Sequence, residues 1–325
     1  SSHFGLGCTF SCEAPVAPAQ LPPVQQMAEA AAAEAGPAPD FVLLGPSGFL
    51  GAAILRALEG AGYSVTTSRL RLQDRPGIEK LLDEHRPSLG VVCAAGERGR
   101  PNISWCEDHP VETVDANVTG QLGVAAACHA RGLHVVILGT GVLYTADPSD
   151  PGHRFREEEA PTARLNVYTA LRQKMEELLA YFDNALVLRV LYPVSSDLDP
   201  RGLIGKLARF KRVDKVQTSV TVLEDLCPMI PTLVKGRVTG VLNFANNGTL
   251  AYTDVIDALA KRAPTGWQRP YVDEASAPRA ACELEVERLA KAYGLEVPSA
   301  TTSVMRIIGA LSEEQLKELL PSSPL

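Results

Sequence analysis

From Phe41 onward the hydrophobic positions fall into short apolar runs, separated by longer stretches with helical spacing, and each run ends in a turn signal. The pattern predicts strands over 41–44, 64–67, 89–94, 134–138 and 185–190. Between them it predicts helices over 49–59, 77–85, 111–130 and 167–182. Buried strands alternating with helices build a parallel sheet covered on both faces, so the expectation is an α/β fold with a doubly wound parallel sheet. After Tyr192 the signals are mixed, with helices expected at 203–210, 222–234, 253–262 and 283–293 and short strands near 241–244 and 268–272. This part reads as a smaller mixed α/β lobe over the carboxyl edge of the sheet, where ligands of such folds bind.

Residues 1–40 do not share the pattern. They carry Pro15, Pro18, Pro22, Pro23 and an alanine-rich run over 28–35, and read as a flexible Ala/Pro-rich tail, a candidate attachment point for a protein partner. The expected division is therefore a tail (1–40), a first domain (41–192) and a region (193–325) that is mainly the smaller lobe, interleaved with the first domain. With 325 residues, 46% of them hydrophobic, the chain can bury a large core. A net charge of -7 without a basic block argues against nucleic acid as a partner. The most apolar stretch, 124–143, contains His129, Arg131 and His134, which argues against membrane insertion and for a soluble protein. Seven cysteines lie scattered without a CxxC pair, and Cys93 and Cys128 sit in apolar surroundings that suit buried thiols. A reducing compartment follows as the expectation, with cytoplasm and organellar matrix or stroma both open. Cys8 and Cys12 form only a CxxxC, a weak basis for redox sensing, and the histidines have no spacing that reads as a metal-ligand set.

The first strand runs directly into a glycine loop, Phe41-Val-Leu-Leu-Gly45-Pro-Ser-Gly48-Phe-Leu-Gly51, which opens the first helix. Glycines in this place allow a tight turn, a close approach to pyrophosphate and close packing of helix on strand, while the helix N-terminus offers free N–H groups. The segment therefore reads as the nucleotide loop of an NAD(P)-binding Rossmann fold, with Gly45, Ser47, Gly48, Phe49, Leu50 and Gly51 against the cofactor and Ala94 and Ala95 across from them. The second strand continues into Thr66-Thr67-Ser68-Arg69 with no carboxylate before Asp74. A carboxylate there would hold the ribose 2'-hydroxyl of NAD; Arg69 and Arg71 suit a 2'-phosphate, so NADP is the expected cofactor.

The third strand and its sequel read Val91-Val-Cys-Ala-Ala-Gly96 and then Gly99-Arg-Pro-Asn-Ile-Ser-Trp-Cys-Glu-Asp-His109. Further along come Thr113-Val-Asp-Ala-Asn117-Val-Thr-Gly120, Met175-Glu-Glu-Leu-Leu179, Pro193-Val-Ser-Ser-Asp-Leu198, Ser219-Val-Thr-Val-Leu-Glu-Asp-Leu-Cys-Pro228 and Ala277-Pro-Arg279. On these motifs the chain, over roughly 41–290, resembles the extended short-chain dehydrogenase/reductases. It is most similar to the plant-type nucleotide-rhamnose synthases that act as epimerase and reductase, and less so to dTDP-4-dehydrorhamnose reductases. The resemblance implies a nucleotide-linked 4-keto-6-deoxyhexose as substrate, epimerised at carbons 3 and 5 and reduced at carbon 4 with NADPH. It implies Tyr168 as the acid that protonates the carbonyl oxygen, Thr140 as the hydroxyl that steadies it, and Asn117 as a structural and proton-relay residue. Arg100, Asn102, Lys206 and Arg279 become candidates for substrate contacts.

Two positions depart from the family. Where its members place lysine four residues after the tyrosine, to lower the tyrosine pKa and hold the nicotinamide ribose, this chain has Arg172. Lys174 falls on another helical face and does not replace it. The cysteine that family members place two residues after the threonine, for epimerisation, is here Val142, which cannot carry a proton. Cys106 is no substitute by position and reads as lining or packing the substrate pocket. The expectation is an NADPH-dependent reductase of a nucleotide-linked keto sugar with its 3,5-epimerase activity lost. The alternative is a catalytically degenerate NADP-binding subunit of a larger assembly, for which the regulatory subunit of methionine adenosyltransferase is a precedent in the wider superfamily.

Overall fold

The computed structural model describes residues 37–100, 102–163, 166–273 and 281–320. The tail 1–36, with Cys8 and Cys12, and the Ala277-Pro-Arg279 motif lie outside the described residues. Strand β1 (Phe41–Leu44) is wholly buried, as a four-residue apolar run covered on both faces must be. Asp40 anchors its start: the carboxylate accepts hydrogen bonds from the Ser64 backbone N–H at 2.8 Å, from the Ser64 hydroxyl at 2.9 Å and from the Ser88 hydroxyl at 3.2 Å. The Ser64 backbone bond, followed by its hydroxyl, holds the Asp40 pKa below the ordinary carboxylate range.

Helix α1 (Phe49–Gly60) returns across the sheet with Gly51, Ala53, Ile54 and Leu58 buried, one stripe at helical spacing. Strand β2 (Val65–Ser68) is followed by helix α2 (Arg75–His85), whose N-terminus is capped by the Asp74 side chain accepting from Gly77 N–H at 3.1 Å. Strand β3 (Gly90–Cys93) leads to the short helices α3 (Trp105–Asp108) and α4 (Pro110–Val114). A π-helical segment, Asp115–Thr119, joins α4 to helix α5 (Gly120–His129). The sheet continues through β4 (His134–Thr140), helix α6 (Val167–Leu179) and β5 (Ala185–Val190). Helix α7 (Leu203–Arg209) belongs to the smaller lobe, and strand β6 (Gly240–Phe244) closes the sheet.

The strand order is β2-β1-β3-β4-β5-β6, and every neighbouring pair is parallel. Successive side chains of a strand face opposite sides, and β1 shows the result. Phe41 and Leu43 join Ile54, Leu58, Leu226, Ile230 and Leu233 on one face. Val42 and Leu44 join Ile78, Leu82, Val124, Met175 and Leu179 on the other. Each such side chain contributes roughly 1.5–3 kcal/mol on burial, so the two faces carry most of the sheet's stability.

The structure corrects the sequence-based elements in several places. The run 241–244, expected in the smaller lobe, pairs in parallel with β5 as the sixth strand of the main sheet. A short apolar run does not reveal its partner, and here the partner lies some fifty residues back along the chain. The helix expected over 111–130 is interrupted by the π segment at Asn117. The stretch 283–293 begins as a strand, Glu283–Leu284, paired with Arg154–Phe155, and becomes helical only at Glu287. The strand expected at 268–272 spans Tyr271–Asp273. Two helices without a counterpart in the sequence reading, Ala300–Ala310 and Glu313–Leu319, complete the core of the smaller lobe, where Val304, Ile307 and Leu316 pack with Leu203, Leu207, Val255 and Leu259.

Cys93, Cys106, Cys128, Cys227 and Cys282 are free and buried, and desolvation pushes the Cys93 thiol up to about 12. Among the described residues no helix is long and apolar enough to cross a membrane.

Candidate functional site

The chain adds β2 on one side of β1 and then returns to add β3 on the other, and such a reversal of strand order is where folds of this kind take ligands, at the carboxyl ends of the strands. Gly45 forms its floor with φ +79°, and a Cβ there would lie 2.7 Å from the Ala95 backbone nitrogen. A Cβ at Gly51 would lie 2.1 Å from the Gly45 carbonyl oxygen. Neither position tolerates a side chain. Gly48 precedes α1 in extended conformation, with no side-chain cap and no acidic residue in the first turn of this twelve-residue helix. The helix N-terminus therefore keeps its partial positive charge and its N–H groups for a ligand, and the cradle fits a pyrophosphate. Ser47 lies exposed at the mouth, with Phe49 and Leu50 half-buried behind it.

At the end of β2 the Ser68 hydroxyl accepts a hydrogen bond from Leu70 N–H at 3.2 Å. Asp74, the first carboxylate after the strand, is committed to the α2 cap. Arg69 and Arg71 are exposed, and neither guanidinium has an ion-pair or hydrogen-bond partner among the described residues. This rim is cationic.

Beyond β3, Ala94 and Ala95 are half-buried, and Gln121 donates to the Ala95 carbonyl at 2.7 Å while accepting from the Cys93 thiol at 3.2 Å. Asn117, 1% exposed, sits in the π segment, where one extra residue per turn shifts a side chain out of the helical register, as at many functional sites. Its Oδ1 accepts from Glu97 N–H at 2.9 Å, and its Nδ2 donates to the Glu97 carbonyl at 2.5 Å. Both ends of the Asn117 amide thereby clamp the loop after β3.

Arg172 reaches the same loop from α6. A Cβ built at Gly96 would lie 3.0 Å from Asn117 Oδ1 and 3.9 Å from Arg172 Nη1, so these two side chains converge on Gly96. Arg172 is 5% exposed, and its buried Nε has no partner among the described residues. Buried donors are normally satisfied, so an orphaned one beside a crevice marks a place for a polar ligand group such as a ribose hydroxyl. Tyr168 stands one turn earlier on α6, half-buried. Thr140 ends β4, buried, with its hydroxyl accepting from Val142 N–H at 3.2 Å, and Val142 packs against the apolar core.

The start of α6 is held from two sides. Asn166 and Thr169 form a reciprocal capping box, and the Glu107 carboxylate accepts from Val167 N–H at 3.0 Å. Beneath the helix lies a buried network that the sequence reading missed. Arg189 on β5 donates through Nε to both Glu176 oxygens, at 3.2 and 3.0 Å, and through Nη2 to the same carboxylate. It also donates to the Tyr144 hydroxyl at 2.8 Å and to the Glu157 carbonyl at 3.1 Å. Glu157 Oε1 accepts from Asn243 N–H of β6 at 2.8 Å, and burial pushes its carboxyl pKa up. The available signal was an arginine inside the apolar run Ala185-Leu-Val-Leu-Arg-Val190.

The remaining candidates are more dispersed. Lys206 lies on α7; desolvation, with the Arg98 charge added, holds its ammonium below the ordinary lysine range. Arg100 is exposed at the rim, Asn102 is turned back to accept from Ser104 N–H at 2.9 Å, and Arg279 lies outside the described residues. Cys106 is fully buried and therefore packs rather than lines the crevice. Lys174 is paired with Glu177 at 2.8 Å on the exposed side of α6. Among the described residues no group of three His, Cys, Asp or Glu side chains is placed to hold a metal ion.

The model of the NAD dependent epimerase/dehydratase family matches residues 41–200. The bifunctional dTDP-4-dehydrorhamnose 3,5-epimerase/dTDP-4-dehydrorhamnose reductase of Arabidopsis thaliana is 33% identical over 279 residues, which cover 83% of this chain and 92% of the plant protein. Among solved structures, the L780 UDP-rhamnose synthase of Acanthamoeba polyphaga mimivirus superposes with a TM-score of 0.77 at 22% identity, covering 84% of this chain and all of that one. The dTDP-4-dehydrorhamnose reductase of Bacillus anthracis in complex with NADP superposes at 0.68 with 16% identity, over 85% of this chain and 99% of that one. These two structures share the parallel sheet and the fold. The identity to the plant enzyme extends over nearly its whole length, and the chain belongs to the NAD dependent epimerase/dehydratase family.

Proposed function

We propose that the protein is an NADPH-dependent reductase of a nucleotide-linked 4-keto-6-deoxy sugar that no longer epimerises carbons 3 and 5. The observation that carries this reading is the buried Arg172 guanidinium with its orphaned Nε, one turn from Tyr168 and beside the Asn117 clamp. The solved relative with NADP bound and the plant reductase support the cofactor and the substrate class. The bound cofactor supplies the hydride. As the carbonyl carbon accepts it, the C=O π pair moves to oxygen, and Tyr168 gives that oxygen its hydroxyl proton, later replaced from solvent. Thr140 orients the carbonyl by hydrogen bonding, and Arg172 holds ribose hydroxyls and offers positive charge near the phenolate that Tyr168 becomes. Arg69 pairs with the 2'-phosphate, and Lys206 with Arg100 meets the anionic nucleotide end of the substrate. Val142 supplies no proton carrier, so the protons next to the ketone stay in place.

The test is NADPH oxidation over a panel of dTDP- and UDP-linked 4-keto-6-deoxy sugars. Wild type turns over at least one of them, Tyr168→Phe loses at least a hundredfold in kcat, in line with a general acid contributing about 10²–10⁴-fold, and Arg172→Lys changes the rate. No turnover by wild type, with clear gain on Arg172→Lys, rejects the enzyme reading in favour of a degenerate subunit that retains the cofactor fold. For the cofactor choice, Arg69→Ala weakens NADPH much more than NADH; equal effects refute the 2'-phosphate contact.

A further inference from the structure

The smaller lobe sends one segment back across the glycine loop. Asp197 pairs with Arg56 of α1 at 2.8 Å, and five residues later a Cβ at Gly202 would lie 3.2 Å from the Phe49 ring. Phe49 is the first residue of α1, the helix whose N-terminus forms the anion cradle. Between these contacts the Arg201 guanidinium is held 5.6 Å above the Phe49 ring centroid.

Asp199 sets that position. Its carboxylate takes Arg201 Nε at 2.8 and 3.1 Å and Nη2 at 2.6 Å, while its Oδ1 also accepts from Arg201 N–H at 2.8 Å and its carbonyl accepts from Gly202 N–H at 2.8 Å. The hydrogen bond from Arg201 is the main reason the Asp199 carboxyl stays below its ordinary range; Arg98, from the loop after β3, adds to it. Charge from both sides of the crevice thus meets at this segment. One edge of the arginine fork is occupied, whereas Nη1 has no hydrogen-bond partner among the described residues.

We propose that Arg201 is a cofactor-binding residue, whose free Nη1 caps the pyrophosphate from the lobe side while the α1 N-terminus holds it from below. Resting on the nicotinamide-cofactor reading given above, this assigns the positive side chain that the glycine loop itself lacks. The loop contains no Lys or Arg between Gly45 and Gly51. An arginine with one edge fixed and one free is pre-organised for phosphate, because little rotamer freedom remains to be lost on binding. Asp199 does two opposed things: it aims the guanidinium, and it places a negative charge beside an anion.

Nucleotide titration of the intact protein tests the assignment, with nicotinamide fluorescence as readout and no turnover required. Because both nucleotides share the pyrophosphate, Arg201→Ala weakens NADPH and NADH by the same factor, about tenfold, the size expected for one charge-assisted phosphate contact. Asp199→Asn keeps the acceptor that shapes the turn but removes the charge, and tightens both nucleotides by about threefold, a shift of under 1 kcal/mol. Arg69→Ala serves as the contrast, acting on NADPH. If wild type binds but Arg201→Ala stays within twofold, or affects NADPH alone, Arg201 does not face the pyrophosphate and the cofactor reading stands without it. Wild type binding neither nucleotide removes the cofactor reading and the Arg201 assignment together.

Discussion

The two ends of the crevice are constructed on different principles. At the cofactor end the decisive features are backbone and empty space: Gly45 at positive φ, Gly51 against the Gly45 carbonyl, and an uncapped helix N-terminus. At the reacting end they are side chains, Tyr168 and Arg172 on α6 and Thr140 on β4, held by a cap, a clamp and a buried ion pair. Space admits almost no substitution, because a single Cβ at Gly51 collides with backbone that has nowhere to go. Side chains can be exchanged one at a time while the scaffold stands, and Arg172 and Val142, the two positions that the sequence reads as departures from the family, both fall at this end.

Variants at each end separate these principles. The largest effect is expected at the base of α6. Glu176→Ala strands the Arg189 guanidinium in the core, and breaking a buried pair from one side destabilises by ~3–5 kcal/mol. Denaturant unfolding measures it; a loss below 1 kcal/mol means the network does not hold the helix. Next comes Gly51→Ala at the other end. Overpacking of this kind costs about 1–3 kcal/mol, and because the displaced atoms are those of the cradle, NADPH titration should lose its signal altogether. Retained NADPH affinity in Gly51→Ala would show that space is not what defines the cofactor end.

The same contrast explains what could be read from the chain before its fold was known. The glycine loop was legible because its logic is local: strand, turn and helix mouth follow one another within eleven residues. The order of β1 to β5 was legible for a similar reason, each apolar run being followed by its own crossover helix. Strand β6 was not, since Gly240–Phe244 looks the same whether it pairs with β5 or with a neighbour in the smaller lobe. Individual residues such as Asn117 and Arg172 could be named, but not that Asn117 would bind both the N–H and the carbonyl of Glu97 or that Arg172 would be buried with a free Nε. The Arg189–Glu176–Tyr144 network depends on three segments meeting in space, and the Arg201 geometry depends on a turn after β5 arriving over α1. Periodicity carries no record of such meetings.

The smallest expected effect concerns the join between the two ends. Glu107 lies in the segment that follows β3, yet its carboxylate binds the first amide of α6, directly before Tyr168. A carboxylate at a helix N-terminus contributes about 0.3–1 kcal/mol through the dipole at an exposed site, so Glu107→Ala should lower stability by no more than roughly that amount. Its effect on the reaction should be distinct: kcat falls a few-fold while the NADPH affinity is unchanged, because the cradle at α1 is built without Glu107. Glu107→Gln keeps an acceptor for Val167 N–H and should recover most of the rate. A matching loss of NADPH affinity in Glu107→Ala would mean that backbone and side-chain ends move as one, and the separation drawn between them would fail. Loss of kcat alone, restored by glutamine, would locate the coupling in a single hydrogen bond between α3 and the helix that carries Tyr168.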